Sequence, residues 1–228
     1  MDRPGDRIVI EGSATRVGAA ATSSSAQRVL RNTYMLLSAS LLWSAACAGG
    51  AMAYRLPGPG ILLTLVGFYG LLFAIERLRN SAWSVALVFA LTGFMGYTLG
   101  PIVSHYLSMP NGGQTVMLAM GGTGAVFLGL SAYALVSRKD FSFMGGFLAV
   151  GILVAFLASL GAIFFQIPAL SLTVSAVFVL LMSGMILFET SRIIHGGETN
   201  YIMATVSLFV SIYNLFLSLL QLLGFSGD

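Results

Sequence analysis

Residues 186–224 read ILFETSRIIHGGETNYIMATVSLFVSIYNLFLSLLQLLG. An apolar run ends in Glu189, a short polar hairpin follows with His195 and Gly196-Gly197, and a second apolar run begins near residue 200. Roughly 20 helical residues cross a hydrocarbon core, so two such runs around a tight polar turn read as membrane-crossing helices. In the second run Ser207, Ser211, Asn214 and Ser218 recur three and four residues apart, which places them on one helical face. Elsewhere almost every charge falls in an obvious loop. Ionisable chemistry at membrane depth, if the chain has any, therefore starts here.

The rest of the chain has the same character. Hydrophobic residues make up 57% of the 228 and charged residues 8%, where a soluble domain carries about a quarter charged. Such a chain needs lipid around it, and it reads as an all-α, multi-pass membrane protein. The net charge of +3 is too small to suggest nucleic acid as a partner. Residues 1–27 are polar, mixed in charge and without hydrophobic period, which predicts a disordered tail. Residues 28–228 then form the transmembrane domain. A signal peptide is the rival reading of its first run, with AMA at 51–53 mimicking a cleavage site, but the run is too long for one.

Seven spans follow, near 28–54, 60–75, 82–107, 115–137, 141–165, 169–188 and 200–224. Pro101 in the third removes a backbone hydrogen bond and predicts a kink. Lys/Arg bias sets orientation. Arg28, Arg31, Arg77, Arg79, Arg138, Lys139 and Arg192 precede the first span or occupy alternate loops, and the opposite side has Arg55. The tail is therefore expected in the cytoplasm and the C-terminus outside. Small residues allow helices to pack closely in lipid, and three sets offer themselves: Gly96 with Gly100, Gly121 with Ala125 and Gly129, and Ala45 with Gly49.

Missing residues exclude several activities. A retinal Schiff base needs a lysine at membrane depth, and the one lysine, Lys139, lies in a loop. There is no HExxH helix for a zinc protease and no Walker-type loop. His105 and His195 fall on opposite sides, with no serine placed to make a dyad. Cys47, the single cysteine, reads as a small packing residue. No cofactor or metal site is expected, and the chain does not read as an enzyme.

Glu189 carries the chemistry that is left. A carboxylate at the end of a span is costly unless hydrated, paired or protonated. One reading pairs it with Arg192, one helical turn on. The other makes it a proton sensor or ion ligand perturbed by partial burial. Glu76, beside Arg77 and Arg79, admits the same two readings. The polar face of the last span is likewise either hydrogen-bonding glue between helices or the lining of a hydrated path, with Ser211 near the bilayer midplane.

GYTLGPIVSHY (96–106), SRKDFSFMGGFL (137–148) and FETSRIIHGGETNYIMATVSLFVSIYNLF (188–216), in this order and at these separations, resemble the Bax inhibitor-1 (TMBIM) family, specifically its bacterial YccA-like branch. The resemblance implies a seven-helix fold with a central seventh helix in the bacterial inner membrane. It also implies one of two functions: modulation of an FtsH-type AAA protease, or a pH-sensitive calcium leak. In the second, acids on helices six and seven couple to an arginine at the end of helix two. Carried over by position, those acids fall on Glu189 and Ser211, and the arginine on Arg77 or Arg79. Ser211 has no carboxylate, so two acids cannot share a proton here, and calcium, which prefers several hard oxygen ligands, has a poorer site. That departure favours the protease modulator.

Overall fold

The computed structural model describes residues 24–225, and every regular element in that range is helical. The expected tail, 1–27, lies outside the described residues except for 24–27, which are already helical. Seven helices are long and apolar enough to cross a membrane: α1 (Ser24–Ala53), α2 (Gly60–Leu78), α3 (Ser84–Leu107), α4 (Gly112–Ser137), α5 (Gly145–Phe164, entered through a 3-10 turn at Ser142–Met144), α6 (Pro168–Ile194) and α7 (Tyr201–Phe225).

Their boundaries follow local chemistry. Pro57-Gly58-Pro59 separates α1 from α2, and Asn111 and Arg138 take left-handed backbone at the two ends of α4. Pro168 opens α6 at the first helical position, where a missing N–H costs nothing. The third helix runs through Pro101 to Leu107. The largest shift from the expected boundaries is in α6. Thr190-Ser191-Arg192 reads as the start of a loop, yet the helix continues to Ile194 because Thr190, Ser191 and Ile193 are buried. Glu189 is thus inside a helix rather than at its edge.

The last helix, α7, is the hub, packed against α1, α3, α4 and α6, with α5 on the outside of α6 and α2 on the outside of α3. Leu208, Phe209 and Leu215 of α7 are sealed in the main core with Leu37, Leu91 and Ile186. Helices α1 and α3 cross closely, and the crossing uses the expected pair of glycines. A Cβ on Gly96 would collide with the Ser44 carbonyl oxygen, and one on Gly100 would lie 2.6 Å from Ala51 Cβ. The other two small-residue sets do not act this way. A Cβ on Gly49, Gly121 or Gly129 would meet nothing within 4 Å, since Gly121 and Gly129 face outward and Gly49 lines a cavity of about 550 Å³ between α1, α3, α4 and α7.

Candidate functional site

The α6–α7 joint holds a connected set of polar contacts that includes both ion pairs among the described residues. Glu189 is 4% exposed. Its Oε1 accepts a hydrogen bond from Ser207 Oγ of α7 at 3.0 Å and one from Arg192 Nη1 at 3.3 Å. The same guanidinium reaches Glu198 Oε2 at 3.5 Å and the Gly197 carbonyl at 3.4 Å, and lies 5.4 Å from the Phe188 ring centre. Arg192 therefore joins the buried acid of α6 to the loop that starts α7. Pairing meets the requirement that a buried carboxylate be compensated, and the three-residue spacing brings the two side chains onto one helical face.

Around this pair, side chains tie the neighbouring loops to the joint. Ser191 Oγ donates to the Lys139 carbonyl at 3.1 Å and accepts from the Phe141 N–H at 3.0 Å. His195 places Nδ1 2.9 Å from the Ser191 carbonyl and Nε2 3.1 Å from the Arg138 carbonyl. Carbonyl oxygens only accept, so the doubly protonated ring alone can donate to both. Asn200 caps α7: its Oδ1 accepts from the N–H groups of Ile202 and Met203, as an N-cap side chain should. Its Nδ2 donates to the Arg79 carbonyl at 3.3 Å and to Asn80 Oδ1 at 3.1 Å. From α1, the Tyr34 hydroxyl meets Thr190 Oγ1 at 3.5 Å, and Thr205 Oγ1 donates to the Thr33 carbonyl at 3.3 Å. One end of the bundle is thereby knotted, with the α2–α3, α4–α5 and α6–α7 loops held together. In the α4–α5 loop, hydrogen bonds from Ser142, first from its side chain and then from its backbone N–H, keep the Asp140 carboxyl below its ordinary range.

Arg77 and Arg79, expected as partners for Glu189, do not reach it. Both ion pairs among the described residues belong to Arg192, and Glu76, Arg77 and Arg79 are all exposed. The pairing of Glu189 with Arg192 is the alternative that the structure contains.

The polar face of α7 does border a cavity. Ser207, Ser211 and Asn214 line a space of about 560 Å³ whose other walls are mainly apolar side chains of α2, α3, α5 and α6, with Thr64, Tyr69 and Thr98 among them. Ser218 is not among its lining residues. Ser211 is buried and donates back to the Ser207 carbonyl at 2.8 Å, and Asn214 Nδ2 donates to the Val210 carbonyl at 2.8 Å. Glue between helices is seen at Ser207, which donates to Glu189 of α6, and at Tyr213, whose hydroxyl shares a hydrogen bond of 2.8 Å with Thr98 Oγ1 of α3. Among the described residues no three of His, Cys, Asp and Glu stand close enough to hold a metal ion.

Sequence reasoning missed Ser191, His195 and Asn200. Asn200 had a signal, since an asparagine just before an apolar periodic run is an N-cap pattern. Ser191 and His195 act on a loop some 50 residues away in sequence, and no local pattern announces that.

The family model described as "Inhibitor of apoptosis-promoting Bax1" matches residues 26–228. An uncharacterized protein of Pseudomonas aeruginosa is 57% identical over 199 residues, covering 87% of this chain and 90% of that one. The Escherichia coli K12 protein named "Modulator of FtsH protease YccA" is 54% identical over 203 residues, covering 89% and 92%. A protein of a second Escherichia coli strain, named "Inner membrane protein YccA", matches with the same identity and coverage.

Proposed function

The chain belongs to the Bax inhibitor-1 family, and from that membership we propose that it is an inner-membrane protein that binds and modulates an FtsH-type AAA protease and is not itself an enzyme. The observation that carries this reading is the near full-length match to the Escherichia coli protein named as a modulator of that protease. The polar knot supports it physically. A rigid face built from three loops is a surface that a partner can recognise without either side reorganising.

The orientation set by the basic residues puts that knot and the N-terminal tail in the cytoplasm, and the end bearing Arg55 and His105 outside. An AAA protease engages its clients through terminal segments, so the tail over 1–27 serves as the contact or initiation segment. The test is recovery of the complex. Detergent-solubilised chain should co-purify with the membrane protease after mild crosslinking, and removal of residues 1–27 should weaken recovery or change the rate at which a known substrate is degraded. No complex under conditions that capture that substrate would reject the reading.

A second reading, a pH-sensitive calcium or cation leak gated at Glu189, rests on the buried carboxylate and on the cavity beside it that Ser207 and Ser211 line. Ser211 gives that path a hydroxyl where a second carboxylate would be needed. Proteoliposome calcium flux separates the two readings. The modulator reading expects flux equal to that of empty liposomes from about pH 5 to 8 and no effect of Glu189→Gln.

A further inference from the structure

Arg77 closes the last turn of α2 and Arg79 is its C-cap. No carboxylate among the described residues pairs with either, because both ion pairs belong to Arg192. The turn they stand on forms the wall of an open cavity of about 710 Å³, lined by Phe73, Glu76, Arg77, Arg79, Asn80 and Ser81, with Leu78 between them. One carboxylate, Glu76, shares that wall with the two guanidinium groups, so the balance is positive. Phe73 of this lining and Trp83, the residue before α3, are each 71% exposed. Bare aromatic rings flanking arginines at the end of a membrane helix mark the boundary between hydrocarbon and headgroups.

We propose that this turn is a binding site for the phosphate of an anionic phospholipid headgroup in the leaflet on the basic side. A guanidinium presents a planar fork of donors that matches phosphate oxygens, and both Arg77 and Arg79 line the same cavity. The apolar part of the lining, Phe73 and Leu78, suits a phosphate that arrives with acyl chains attached, and gives a free phosphate nothing. The site is also mechanically connected. The Arg79 carbonyl and Asn80 side chain are the groups that Asn200, the cap of α7, holds, so a bound headgroup braces α2, otherwise attached along α3, against the hub of the bundle.

The experiment uses the full chain, purified in detergent and mixed with equal amounts of phosphatidylglycerol and phosphatidylcholine carrying the same acyl chains. Native mass spectrometry then reads which lipid is retained. The site expects a preference for phosphatidylglycerol of roughly tenfold, lost in the Arg77→Gln/Arg79→Gln double variant and kept in Arg138→Gln/Lys139→Gln, which removes two charges from the neighbouring loop. Arg77→Lys/Arg79→Lys, which keeps charge but loses the fork, should retain part of the preference. No preference, or equal loss in the two glutamine doubles, would overturn the site in favour of diffuse surface charge. Displacement of phosphatidylglycerol by excess inorganic phosphate would overturn the lipid assignment and leave a soluble phosphate as the ligand.

Discussion

Helices α2 and α7 have nearly the same mean hydropathy, 1.8 and 1.9, yet 6% of the first and 44% of the second are buried inside the protein over their most apolar stretches. In water such a difference would show in composition. In lipid it does not, because a leucine facing acyl chains and one facing another helix meet equally apolar surroundings. Position in the bundle is set instead by small and polar contacts. Helix α7 has Asn200 as a cap, Ser207 on Glu189, Thr205 on α1 and Tyr213 on α3. Along its length α2 has one buried residue, Ile75, and rests on α3 through Gly67 beneath the Phe94 ring, while the loop before it is held by the Tyr97 hydroxyl of α3, which donates to the Pro57 carbonyl at 2.6 Å.

The strongest attempt to break this contrast removes one large apolar side chain from each helix. Phe209→Ala, at a position 1% exposed, should cost about 3–5 kcal/mol through the cavity it leaves. Leu62→Ala, at 78% exposed, should stay within about 0.5 kcal/mol. Thermal unfolding in detergent measures both, and equal losses would erase the distinction.

Arginines allow a second comparison. Arg192→Gln takes the cation from a buried carboxylate and should cost about 3 kcal/mol, the low end for a broken buried pair because the guanidinium is partly exposed. Arg77→Gln/Arg79→Gln in lipid-free detergent should cost less than about 0.5 kcal/mol. A large effect of the second pair would mean that α2 is held by charge after all.

Asn200→Ala acts on both helices. Loss of the N-cap should cost about 1 kcal/mol, and amide exchange should quicken in the α2–α3 loop as well as in the first turn of α7, because one side chain serves both. Exchange confined to α7 would show that the loop does not depend on it.

The smallest effect expected is that of pH on the α4–α5 loop. The Asp140 carboxyl lies below its ordinary value because Ser142 donates to it, with a further lowering by nearby His195. A lowered carboxyl stabilises the fold above its unfolded pKa of about 3.9, and the contribution disappears as pH falls through the lower folded value. Asp140→Asn should lower the melting temperature slightly at neutral pH, leave it unchanged below the folded value, where the carboxyl is already protonated, and so flatten this part of the acid dependence.

Number, order and class of the helices were legible in the sequence, because apolar runs of this length have no other use. The end of α6 was not. Thr190-Ser191-Arg192 looks like a loop until the burial of Thr190 and Ser191 against other elements is known, and the error put Glu189 at an edge instead of inside. At the site, the three-residue step from Glu189 to Arg192 was readable as a pair, and the structure contains it. Of the serine and asparagine face of α7, Ser207, Ser211 and Asn214 do line a cavity, though Ser211 and Asn214 turn their donors back onto their own helix. The arginines expected beside Glu189 from the end of α2 stay exposed in this structure, and the guanidinium on Glu189 is that of Arg192.

The hub of this bundle comes after the other six spans in the chain, and that ordering matters during synthesis. While the ribosome is still making α6, the helices already in the membrane surround a vacancy: Ser207 has yet to reach Glu189, and the partners of Leu208, Phe209 and Leu215 face lipid or one another. A chain halted at that point carries its most expensive charge without its second hydrogen bond. For a protein proposed to work beside a quality-control protease, the docking of the seventh helix is thus the step that matters. Its arrival separates a bundle whose buried acid and core have their partners from one that the same protease could extract.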